Sequence, residues 1–185
     1  MQEHEHVVNV LEEAKQAAER GDIIRLKQLS DQTIHSTAIY QDSDNILVAI
    51  IVYSLSKLLE RRQNYSPKDF EKYFKYYLDT IDYSRNCINQ NNCPLFRDRI
   101  KEMLSYRGLS SDLKKSVGEV FEKAKINKAS KIYEHGISMG STAKLLGISL
   151  WDLTSYVGQG TINDMKEGET LNIRARVKKA LDFFE

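Results

Sequence analysis

The chain has only two prolines and two cysteines in 185 residues. So few prolines leave long helices uninterrupted, and nine glycines add few further breaks. Cys87 and Cys93 have no His or Cys neighbours at zinc spacing, which excludes a finger or ribbon site. They are expected to be free thiols in a reducing cytoplasm, with a bridge across the intervening Asn-rich stretch as the alternative. Long apolar runs are also missing. The longest, residues 46–53, falls far short of the roughly 18 residues a membrane span needs, so no membrane partner is expected. The opening MQEHEHVV is polar and acidic, unlike a signal peptide. A net charge of +1 selects no partner by sign.

Catalytic patterns are scarce as well. There is no glycine-rich phosphate loop and no nucleophile motif. Small helical ribonucleases pair an Arg and a His on one helix. Here Arg25 and His35 are far apart, and Lys131 stands where an Arg would precede His135. His4 and His6 are neighbours near the terminus, where a metal site would be weak. Glu12, Glu13, Asp42 and Asp44 read as helix-end acids rather than metal ligands. The expectation is a non-enzymatic protein with no cofactor.

What is present is helical periodicity. A first helix is predicted over 4–20, with Val7, Val10, Leu11, Ala14 and Ala18 on one face. A second covers 22–40, placing Ile23, Leu26, Leu29, Ile34 and Ala38 inward. Residues 41–45 are turn and cap material. A third helix over 46–62 repeats Leu47, Ile51, Leu55 and Leu58, and its continuous apolar start suggests burial on several sides. Ser66–Pro67 opens a fourth helix to about Asn89, because proline suits the first helical position. Its stripe of Phe70, Tyr73, Phe74, Tyr77 and Ile81 reads as core, with single-stranded nucleic acid stacking as the alternative. A fifth runs from Pro94 to Tyr106. Ser110 to Asp112 caps a long helix reaching Glu134 or His135, closed by Gly136. The fold class is all-α. Residues 1–108 are expected to be a helical bundle for dimerisation or sensing, and 109–185 a second region.

The segment Ser138–Val157, SMGSTAKLLGISLWDLTSYV, carries the strongest functional signal. Ser138 or Ser141 can cap a helix. Ala143 is small, as a close helix crossing needs. Gly147 stands where the chain leaves that helix in a left-handed conformation. Ile148 plugs the corner, Ser149 caps a second helix, and Leu153, Tyr156 and Val157 share one face. The order small, apolar, Gly, Ile, Ser and then apolar at helical spacing is what a tight two-helix corner requires. Through Ala143, Leu146, Gly147, Ile148, Ser149, Leu153 and Tyr156 the segment resembles the helix-turn-helix superfamily of prokaryotic regulators. The wording AKLLGISLWDL is similar to that of small bacterial and archaeal regulators, including antitoxin-type proteins.

That resemblance implies transcription regulation in the cytoplasm, with duplex DNA as partner. It places Ser149, Leu150, Trp151, Thr154 and Ser155 toward base edges, and Ser141, Thr142 and Lys144 beside them. None of the reader positions is Arg, Lys, Asn or Gln, the side chains that pair bidentately with bases. Ser and Thr remain as readers, and Leu150 or Trp151 can meet a thymine methyl. Asp152 either faces a cytosine amino group or caps the helix. Residues 114–144 hold seven lysines against three acids, and Arg174, Arg176, Lys178 and Lys179 form a second basic cluster for phosphate contacts. The stretch 170–184 reads as a helix, with a wing over 161–177 as the alternative. A homodimer through 1–108 is expected, because paired half-sites multiply specificity and the third and fourth helices carry surplus apolar surface. The competing reading is a protein-interaction or scaffold module in which the helix-turn-helix is a structural corner. Exposure of Leu150 and Trp151 separates the two: burial inside the chain favours the scaffold.

Overall fold

A computed structural model describes residues 4–40, 42–106 and 108–164. The fold is all-α, with no strand among the described residues. The helices are α1 (His4–Glu19), α2 (Ile23–Tyr40), α3 (Ser43–Glu60), α4 (Pro67–Asn89), α5 (Cys93–Leu104), α6 (Ser111–Glu134), α7 (Met139–Leu146) and α8 (Leu150–Asp164). A short 3-10 turn, Arg62–Asn64, joins α3 to α4.

Local chemistry sets the ends. α3 starts ahead of its apolar run because the Asp42 carboxylate accepts from the Asp44 N–H at 2.9 Å. Pro67 opens α4 and Pro94 lies in the first turn of α5, where a missing N–H costs nothing. α8 continues to Asp164, so residues 161–164 are helical rather than the start of a wing. The remainder of the predicted helix or wing, 165–177 and on to 184, lies outside the described residues.

α3 is the centre of the molecule. Val48, Ala49, Ile50, Ile51 and Val52 are buried in succession, which only a helix enclosed on all sides permits. α1, α2 and α6 pack around it, and α4 packs on α1 and α5. Leu113, Val117, Val120 and Phe121 of α6 belong to the same core as Val7 and Leu11 of α1. The long helix beyond residue 108 is therefore packed into the N-terminal bundle.

The aromatic stripe of α4 is core. Tyr73 and Tyr77 are buried, and the Tyr77 hydroxyl donates to the Ile51 carbonyl at 2.7 Å. Phe70 is buried with them, and Phe74 packs partly buried against the same core. The apolar surface of α3 and α4, expected to be surplus for a dimer, is likewise turned inward.

The acids read as helix-end groups have partners in the chain, although Glu12 and Glu13 lie in the middle of α1. Arg97 of α5 donates bidentately to Asp44 at 2.6 and 2.8 Å, tying α5 to the start of α3. Glu12 pairs with Arg85 and Glu13 with Arg25. Lys128 of α6 is fully buried, donates to Asp31 at 2.7 Å and lies 4.3 Å from the centre of the Tyr53 ring. Burial pushes its ammonium below the usual lysine range, with Asp31 opposing that shift. Cys87 and Cys93 are free thiols.

Candidate nucleic-acid interface

The corner forms as the residue types require. The Ser138 hydroxyl accepts from the Ser141 N–H at 3.2 Å and starts α7. α7 ends at Gly147, which has φ 63° and ψ 38°. The Ile148 N–H then reaches back to the Ala143 carbonyl at 3.1 Å, and the Gly147 N–H bonds the same turn. This pairing satisfies the carbonyls that a helix end leaves open.

α8 starts with a reciprocal cap. The Ser149 hydroxyl accepts from the Asp152 N–H at 3.0 Å and donates to the Asp152 carboxylate at 2.5 Å. Ser149 is the cap, and the Asp152 carboxylate is held on its hydroxyl. Its charge is spent at the positive end of α8.

A small second core docks α8. It consists of Ala129 from α6, Ala143 from α7 and Leu153 from α8, with Met139, Leu146, Ile148 and Val157 packed around it. Two alanines at the crossing allow the backbones to approach, and Leu153 fills the space between them. α6 thus serves twice, as part of the main bundle and as the support of the corner.

With Leu153 inward, the first turn of α8 faces out. Trp151 is 80% exposed and Leu150 53% exposed. Ser149, Thr154 and Ser155 are exposed beside them. The Thr154 hydroxyl donates to the Leu150 carbonyl at 2.7 Å. Ser141 and Lys144 are exposed on α7. Thr142 is different: grouped with the exposed positions from the sequence, it is buried beside Ala143, and its hydroxyl has no partner. It sits on the inner face of α7 and leaves the reading surface. Arg174 and Arg176 lie outside the described residues. Tyr156 is half-turned to the body, its hydroxyl accepting from the Asn127 amide at 2.9 Å.

Cations that the linear sequence did not connect to this face also border it. Lys57 of α3, Arg61 at its C-terminal end and Lys123 of α6 line a cleft whose other wall includes Trp151 and Ser155 of α8. Lys123 belongs to the lysine-rich stretch recognised in the sequence. Lys57 and Arg61 lie some ninety residues upstream of Trp151, and nothing in their local sequence marks them.

Substitution of Gly147 tests the corner directly. A Cβ there meets no atom within 4 Å, so any cost comes from the backbone alone. Gly147→Val is expected to destabilise by at least about 1 kcal/mol, and Gly147→Asn by less, because Asn tolerates the left-handed region. Equal melting temperatures for wild type and the valine variant would contradict the observed turn.

No family model, curated protein or solved structure matches this chain.

Proposed function

We propose that the protein is a DNA-binding regulator that presents the first turn of α8 to the major groove of duplex DNA. One observation carries this reading. Leu150 and Trp151 are exposed at a capped helix start while Leu153 is buried against α6 and α7. A structural corner would bury those two side chains inside the chain. The exposed set Ser149, Leu150, Trp151, Thr154 and Ser155 offers hydroxyls to base edges and apolar contact to thymine methyls. Lys144, Lys123, Arg61 and Lys57 supply the phosphate contacts that position such a helix.

Without Arg, Asn or Gln at the reading positions, affinity comes mainly from those cations. A mobility shift with mixed duplex DNA is expected to show binding at low salt. With about four phosphate contacts, affinity should fall about 100-fold between 50 and 200 mM salt. A folded sample giving no shift at low salt overturns the reading.

The same exposed Leu150 and Trp151 favour a second reading, docking onto a protein partner, since Trp is prominent at interface hot spots. Such binding would depend weakly on salt, and the titration separates the two.

Two-fold half-sites make a homodimer part of the proposal. α3 is enclosed and α4 buries its stripe, so the interface does not rest on their apolar faces. Light scattering of the full chain at micromolar concentration is expected to give twice the mass of 21.4 kDa. A monomeric mass removes the dimer.

A further inference from the structure

The cleft between α3, α6 and α8 has a volume of about 430 Å³, within the range of small-molecule sites. Helical spacing builds each wall. Tyr53 and Lys57 of α3 and Arg61, just past its end, recur every four residues. Val120, Lys123 and Asn127 follow at steps of three and four on α6, with Ile126 beside them. α8 contributes Trp151, Asp152, Ser155 and Tyr156. Rings and aliphatic side chains thus alternate with cations, an arrangement that a purely apolar or purely hydrated crevice lacks.

The charge is unbalanced. Lys57 is held by Glu60 at 2.8 Å. The side chains of Arg61 and Lys123 have no ion-pair partner among the described residues. The carboxylate lining the cleft, Asp152, is occupied with Ser149. Arg61 and Lys123 therefore border an open, largely apolar cleft whose uncharged polar groups are the Ser155 hydroxyl and the Asn127 amide and Tyr156 hydroxyl, the last two joined at 2.9 Å.

We infer that this cleft is a binding site for an organic anion with an apolar body, a medium-chain or aryl carboxylate, its charged end on Arg61 and Lys123 and its body against Tyr53, Ile126 and Trp151. Charge complementarity selects the class. An uncharged ligand leaves both cations unanswered, and an organic cation meets repulsion from them. A fully hydrated inorganic anion gains nothing from the rings. The inference does not rest on DNA binding, since occupancy is read without DNA.

Trp151 is the only tryptophan in the chain and lines the cleft, so its fluorescence reports on the α8 wall. Octanoate is a suitable probe because it does not absorb with tryptophan. Titration of the full chain is expected to give a saturable blue shift and protection of Trp151 from acrylamide. 1-Octanol and octylammonium should bind about tenfold more weakly or worse, the range expected on losing a charge-assisted hydrogen bond. Arg61→Gln combined with Lys123→Gln should bring octanoate down to the octanol level while the melting temperature stays put, since neither side chain is in the core. Absence of a saturable shift, equal binding of octanoate and octanol, or an unchanged double variant each overturns the proposal.

Discussion

Leu153→Asp is expected to detach α8 from the body of the protein while the main bundle stays folded. Leu153 is fully buried, and among the described residues its cluster has Ala129 and Ala143 as other buried members. An unpaired carboxylate there costs at least about 3 kcal/mol, and a cluster this small has little to set against it. Leu153 is not part of the main core, so α1 to α5 do not depend on it directly. Hydrogen exchange should show α8 amides losing protection while α3 amides keep theirs, together with loss of any DNA shift. Leu153→Met, which keeps the volume, should cost less than about 1.5 kcal/mol. If α3 loses protection in step with α8, the two cores form one cooperative unit and the corner is not an appended element.

The second large effect is alkaline unfolding. Tyr73 and Tyr77 are buried, and burial pushes both phenols far above the usual tyrosine value of 10.0. In the unfolded chain they ionise near pH 10, whereas the native state keeps their protons. The unfolded state therefore binds fewer protons above that pH, and stability falls as pH rises. Each group contributes about 1.4 kcal/mol per pH unit, so the pair removes about 2.7 kcal/mol per unit past its unfolded value. Lys128 acts in the opposite direction. Its native value is lowered by burial, so stability gains from it as pH rises toward the ordinary 10.5, and the gain stops there. One group does not offset two. Urea midpoints followed from neutral pH to about pH 11 should hold and then drop steeply. Tyr77→Phe should make the slope shallower; a flat profile would show that these phenols ionise in the native state.

Much of this protein is legible in its sequence because helices announce themselves locally. The spacing of Val7, Leu11, Ala14 and Ala18, the Pro67 start and the Gly147 stop each depend on neighbours within a turn or two. The unbroken apolar start of α3 foretold its central place, since no single exposed face can absorb it. The capping role of Ser149 was equally local, its hydroxyl accepting from the Asp152 N–H three residues on. Tertiary packing decided the rest. Thr142 is polar and next to a predicted cap, and only the crossing of α7 with its neighbours turns it inward. The fate of Leu150 and Trp151 was open for the same reason: helical spacing places Trp151 opposite Leu153 and Leu150 to one side of it but does not say what else lies there. Lys57 and Arg61 meet Trp151 because α3, α6 and α8 converge, and a juxtaposition across ninety residues leaves no periodicity to read. The sequence by itself determined where each helix begins, ends and is apolar, through contacts a few residues long. Only the tertiary structure decided which faces remain open and which distant charges border them, because that depends on helices packing across the whole chain.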